Sequence, residues 1–184
     1  MLKTAKNNTT QIYVTPHKGK HSELLFQDRK YTCSIGLNGA KKEKREGDGT
    51  TPVGNFIIRQ ILYRPDRICR PITCLPINAL SPNDAWCDDP YHSEYNRMVK
   101  LPFPGSHELL WRKDNLYDVI LAVGYNDNPP RAHYGSAIFI HCSTTDYTPT
   151  KGCIALASNT LVSLLPHLTK KSFVNIMQYQ DISS

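Results

Sequence analysis

Short apolar stretches recur along the chain, each cut off by glycine, proline or asparagine, a pattern that predicts strands joined by tight turns. Gln11–Val14 (QIYV) and Leu24–Phe26 (LLF) read as strands, with Pro16–Lys20 (PHKGK) turning between them. Lys30–Gly36 (KYTCSIG), Asn55–Leu62 (NFIIRQIL) and Ser172–Met177 (SFVNIM) are further strands. Tyr117–Val123 (YDVILAV) is apolar enough to be a buried strand, and Ala137–Ile140 (AIFI) is another. Leu161, Leu164, Leu165 and Leu168 fall on a 3.6-residue period and predict one short helix, capped by Ser158 or Asn159. Asn38–Gly54 is polar and punctuated by glycine, so it reads as a loop. Arg64–Pro104 shows no pattern; a stretch that long is unusual unless it covers something functional. The expectation is a mainly β fold, one domain over residues 1–184, with one or two short helices and a cap-like insertion at about 64–116.

Composition supports this picture. A chain of 184 residues with 40% apolar side chains can bury a core, and thirteen prolines with ten glycines supply many turns. The net charge is +6, and part of the excess is local: Lys41, Lys42, Lys44 and Arg45 crowd one stretch. That cluster reads as a solvated loop; the alternative is attraction to an acidic partner. No aromatic residues interleave with it, which argues against nucleic acid. No apolar run approaches the roughly 20 residues of a membrane span. The first residues, MLKTAKNNTTQIYV, lack the apolar core of a signal peptide, leaving either a cytoplasmic protein or one whose export signal has been removed.

Six cysteines occur without a CxxC pair. Cys69, Cys74, Cys87 and His92 are too loosely spaced for a good zinc site, so no metal is expected. Cys33, Cys74 and Cys142 read as small core residues. Cys153 and His141 are different. His141 ends an apolar run, and the polar, turn-rich CSTTDYTPTKG that follows can return the chain to Cys153 at the same tip. A free thiol is only about 3% thiolate at neutral pH, and a neighbouring imidazole can take its proton. Gly152 permits a tight turn whose N–H groups can face a tetrahedral oxyanion. Acyl transfer through a thioester is the chemistry these residues suit, though spacing alone favours an ordinary buried cysteine and histidine.

Three stretches in order, GDGTTPVGNFII (47–58), GSAIFIHC (135–142) and TPTKGCIAL (148–156), resemble the YkuD-type L,D-transpeptidases of bacterial cell-wall synthesis. WCDDPYHSEYNRMVKLPF and LLWRKDNLYDVI look like the ErfK/YbiS/YcfS/YnhG-like branch. The resemblance implies an L,D-transpeptidase-like β-sandwich or barrel that needs no cofactor. Cys153 would be the nucleophile and His141 the base. The Cys142 carbonyl would orient the imidazole, and Lys151, Gly152 and Cys153 would supply oxyanion N–H groups. Thr51, Pro52, Gly54 and Phe56 would be scaffold. It implies peptidoglycan stem peptides as partners, carbapenem-type β-lactams as covalent inhibitors, a cell-envelope or periplasmic location, and a monomer.

Two departures stand out. The interval between His141 and Cys153 is short, and Ala155 occupies a position where the family commonly has arginine. Arg112, Arg97 and Arg131 are candidates to replace it at a substrate carboxylate. Trp86 and Tyr117, and also Tyr91, Tyr95 and Trp111, either line a groove or simply pack. Asp88 and Asp89 are adjacent and would point apart in a strand, and Asp146 suits turn capping better than orienting His141. His92, His107 and His133 read as surface residues. Water in place of an amine acceptor would make the same site an L,D-carboxypeptidase, and a decayed site would leave a peptidoglycan-binding module.

Overall fold

A computed structural model describes residues 10–17 and 21–179, so Lys18–Lys20 of the first turn lie outside the described residues. In chain order the strands are β1 (Gln11–Thr15), β2 (Ser22–Phe26), β3 (Arg29–Ser34), β4 (Ala40–Lys41), β5 (Thr51–Pro52), β6 (Gly54–Tyr63) and β7 (Ile77–Ala79). Then come β8 (Asp84–Cys87), β9 (Met98–Lys100), β10 (His107–Leu109), β11 (Val119–Val123), β12 (Phe139–Cys142) and β13 (Ile154–Leu156). Helix α1 (Ser158–Leu164), a single 3-10 turn (Leu165–His167) and β14 (Phe173–Ile176) end the fold.

The large sheet runs β11-β12-β13-β3-β2-β1-β14-β6 and then closes, because β6 also pairs with β11. This makes a barrel, the mainly β architecture expected from the pattern. β6 manages three partners by length: its residues 54–57 pair with β14, while 58–63 pair with β11 on the other edge and 61–63 take β7. Closure leaves few unpaired strand edges. β2 and β3 are joined by Gln27 and Asp28, both at positive φ, as a two-residue hairpin turn requires.

β11 (VILAV) is buried at every position because both its faces are covered. Val119, Leu121 and Val123 join Ile12, Val14, Leu24, Ile140, Ile154 and Leu156 in the main core. Ile120 and Ala122 point the other way, into a second cluster with Phe139 and Cys153, roofed by Leu80, Leu110 and Trp86 from the 64–116 segment. Within that segment β10-β8-β9 form a small antiparallel sheet, where the sequence pattern had shown only irregular chain.

Helix α1 lies where the leucine period placed it, and Leu161, Leu164, Leu165 and Leu168 are all buried. Its N-cap, however, is Ala157, with no side-chain capping bond; Ser158 and Asn159 are already inside the helix. Burying four leucines, at roughly 1.5–3 kcal/mol each, outweighs a missing cap worth about 1 kcal/mol. The Asn38–Gly54 loop contains the short parallel pair β4–β5. Cys74 is exposed and not a core residue, whereas Cys33 and Cys142 are buried. Its neighbours from Arg70 to Leu75 make no strand that would carry it inward.

One buried side chain fastens the covering segment to the barrel. Asn96, at φ 57°, accepts from Trp86 Nε1 (2.9 Å) and Ala137 N (3.0 Å) and donates to the carbonyls of Tyr125 (3.0 Å) and Asn126 (2.7 Å). Asn96→Ala orphans several groups at about 1–3 kcal/mol each. Urea unfolding should therefore show a loss of about 3 kcal/mol or more; a loss under about 0.5 kcal/mol would mean the network holds nothing.

Candidate active site

β12 and β13 pair in parallel with Ile140 opposite Ile154 and His141 opposite Ala155. Strand alternation then puts Phe139, His141 and Ala155 on one face, and Cys153, one residue ahead of β13, joins them. Ile140, Cys142, Ile154 and Leu156 take the other face and fill the main core. The polar segment 143–152 has to run back along β12 and turn again, so Cys153 arrives at the start of that strand, against Ala137 and Phe139, and not at the His141 tip expected from the sequence. The segment turns with Thr148 N donating to Thr144 Oγ1 (2.9 Å) and Thr148 Oγ1 donating to Asp146 (3.0 Å). Asp146 thus caps a turn.

The approach to Cys153 is tightly built. Gly152 sits at φ +145°, and a Cβ there would lie 2.8 Å from the Thr50 carbonyl oxygen, so no other residue fits without movement. Thr150 Oγ1 accepts from Gly152 N (3.1 Å) and donates to Cys153 O (2.6 Å). Gly36 N donates to Thr51 Oγ1 at 2.8 Å, which holds the TPVG element against this turn. Thr51 and Pro52 are buried, and the Phe56 ring packs onto Gly54.

His141 is 5% exposed. Its Nδ1 donates to the Cys142 carbonyl at 2.8 Å, which leaves Nε2 as the acceptor nitrogen. The Tyr117 ring stands edge-on to it at 5.1 Å, and the Tyr117 hydroxyl donates to Glu108 Oε1 at 2.6 Å. Burial is the main cause that lowers the imidazole from 6.5 to about 4, with the Arg112 charge adding to it against the Cys142 hydrogen bond. The Cys153 thiol donates to the Ala137 carbonyl (3.1 Å) and receives a hydrogen bond from Phe139 N (3.4 Å). Burial first, and the Glu108 charge second, push it up to about 12, against the Phe139 N–H and Lys44, which favour the anion. At neutral pH the cavity therefore holds a protonated thiol and a neutral imidazole.

Both side chains line one cavity of about 630 Å³, together with Arg112, Tyr117, Gly152 and Lys151. A larger recess of about 1180 Å³ lies across Thr148 and Pro149, but holds neither Cys153 nor His141. Arg112 is held by Asp114 (2.6 Å) and lies 5.1 Å from the Tyr117 ring centre. Arg97 and Trp86 are elsewhere. Arg97 is exposed, 4.0 Å from Glu94, and Trp86 packs edge-on to Phe139 at 5.1 Å while its N–H is taken by Asn96. Arg131 stacks on Tyr134 at the surface. His107 is half-buried in the cavity wall and His92 is half-buried against Phe103, so neither is a plain surface residue.

Pattern reading missed Glu108 and Lys44, both in the cavity wall. In the sequence Lys44 is one charge in a cluster read as solvated, yet it is 3% exposed. Its spacing from Asp48, at i and i+4, was the available signal. No group of residues able to hold a metal ion occurs among the described residues.

A family model described as the L,D-transpeptidase catalytic domain, YkuD, matches residues 7–176. The chain belongs to this family. Within the YkuD family the match does not resolve a branch. No curated protein matches the sequence. Among solved structures, the helical cell shape determining protein Pgp2 from Campylobacter jejuni is 19% identical, with a TM-score of 0.37 over 97% of this chain and 54% of that one. The chain thus spans about half the length of that protein.

A histidine whose folded value is depressed contributes stability above its free value, and that contribution is lost as pH falls from 6.5 towards about 4. Comparing wild type with His141→Asn by chemical unfolding should show the stability difference moving against wild type by on the order of 3 kcal/mol over that window. A difference that is the same at pH 7 and pH 4.5 would contradict the buried neutral imidazole.

Proposed function

We propose that the protein is a cysteine L,D-transpeptidase acting on peptidoglycan stem peptides, with Cys153 as nucleophile and His141 as base. The observation that carries this reading is their placement: both lie on one face of the β12–β13 pair and line one cavity, with Nδ1 of His141 tied to the Cys142 carbonyl. The family supports a peptidoglycan substrate and, with it, a site of action in the cell envelope.

With both groups neutral at rest, a preformed ion pair is disfavoured and proton transfer accompanies attack. As Sγ bonds to the acyl carbon, the thiol proton passes to Nε2 of His141. The oxyanion draws on the N–H groups of the Lys151–Cys153 turn, where Gly152 N must be shared with Thr150 Oγ1. Collapse expels the terminal amino acid as an amine that takes the proton from the imidazolium, leaving a thioester on Cys153. An acceptor amine then attacks the thioester and loses a proton to His141, which restores the thiol. Arg112, which lines the cavity while paired with Asp114, is our candidate for meeting a substrate carboxylate, the role that Ala155 cannot fill.

Incubating a tetrapeptide muropeptide with and without an amine acceptor tests this. Release of the terminal residue should require Cys153 and fall at least about 10³-fold in Cys153→Ala. A cross-linked or exchanged product is expected with the amine, and hydrolysis alone would make the protein an L,D-carboxypeptidase. Binding to sacculi without turnover would make it a binding module. Because His141 must be neutral to accept a proton, the acid limb of kcat/KM should lie near pH 4, not at 6.5; a limb at 6.5 would contradict the buried, depressed imidazole.

A further inference from the structure

Lys44 is buried, and the structure makes room for it twice. Its stem passes Gly135 (φ +100°), where a Cβ would lie 2.8 Å from Cε and 3.1 Å from Cδ. Its Nζ sits beside Gly152 (φ +145°), 3.3 Å from where that residue's Cβ would be. One glycine is on the chain leading into β12 and the other immediately precedes Cys153. Both therefore leave out a side chain, at backbone angles that disfavour one, where a single lysine threads between them. The ammonium is fixed by Asp48 Oδ1 at 2.8 Å and the Arg45 carbonyl at 3.3 Å. Asp48 is in turn held by Arg45 N (2.7 Å), Thr50 N (2.9 Å) and Thr50 Oγ1 (2.8 Å). Desolvating an ammonium is costly, and an apolar side chain would fill the same channel at less expense.

We propose that Lys44 is a positioning residue for the nucleophile: a fixed cation behind the Gly152 turn that stabilises negative charge as it develops on the Cys153 sulfur. This rests on the reading of Cys153 as the nucleophile. Facing Cys153 are Glu108 from the covering segment, Tyr117 from the approach to β11 and His141 from β12, with Lys44 opposing the Glu108 charge. Glu46, Asp88, His107, Arg112 and Lys151 line the same cavity and are unchanged in the variants below. Asp48, paired with the ammonium at 2.8 Å, offsets part of its field, and the net effect at Cys153 is what the variants below read.

The test is the rate of Cys153 alkylation by iodoacetamide between pH 7 and 9.5, resolved by peptide mapping so that the other cysteines do not contribute. Lys44→Met should slow it about tenfold, equivalent to one pH unit in the thiol, and Lys44→Arg should stay within about twofold of wild type. A purely structural role predicts the opposite sign, because a loosened turn exposes the thiol and speeds its reaction. If Lys44→Met does not fold, the double variant Lys44→Met with Asp48→Asn leaves no orphan charge and should also be slower. Unchanged or faster alkylation in whichever variant folds overturns the proposal. The readout needs no turnover, so failure of the transpeptidase reading would show separately, as an inactive wild type.

Discussion

The parallel pairing of β12 with β13 is the constraint on which the rest of the structure depends. Parallel neighbours cannot be joined by a hairpin, so the chain must leave β12, reverse and re-enter beside its own start. That return fixes His141 opposite Ala155 and brings Cys153 to the strand's mouth. A one-residue slip would turn Cys153 into the main core and Ile154 into the cavity. The register is defended from both sides. Ile140, Ile154 and Leu156 are fully buried on the far face, and the Gly152 turn is clamped under the Thr50 carbonyl.

Burial then decides the electrostatics. The same roof of Leu80, Leu110 and Trp86 that completes the second cluster also removes water from the thiol, and the imidazole is buried against the Tyr117 ring. Each is pushed towards its neutral form, the thiol upward and the imidazole downward. Such a thiol reacts slowly with casual oxidants and alkylators, because little of it is thiolate, and faster when a bound acyl group accepts the sulfur's electrons. Charge in the wall is balanced across the nucleophile, with Glu108 disfavouring the anion and Lys44 favouring it.

The β pattern, the leucine helix and the motif stretches that bring Cys153 and His141 to one cavity were legible in the sequence, because each is local: an alternation, a 3.6 period, a motif. What was not legible depends on contacts far apart in the chain. β13 is three residues long, too short to alternate, and exists because β12 and β3 flank it. Trp86 looks like a groove residue until Asn96 and Phe139 take both its polar and apolar sides. Lys44 sits among exposed charges in sequence and is drawn inward by Asp48 and by two glycines more than ninety residues downstream. Glu108 carries no motif; it reaches the site only through the β8–β10 pairing and the Tyr117 hydroxyl.

Intact-mass analysis after exposure to a carbapenem puts the central claim to its most direct test. The account predicts a single covalent adduct of the intact β-lactam, mapped to Cys153 and absent from the other five cysteines, that forms much more slowly in His141→Asn although that variant remains folded. A folded wild-type protein that gains no mass, or gains it at any other cysteine, would contradict it.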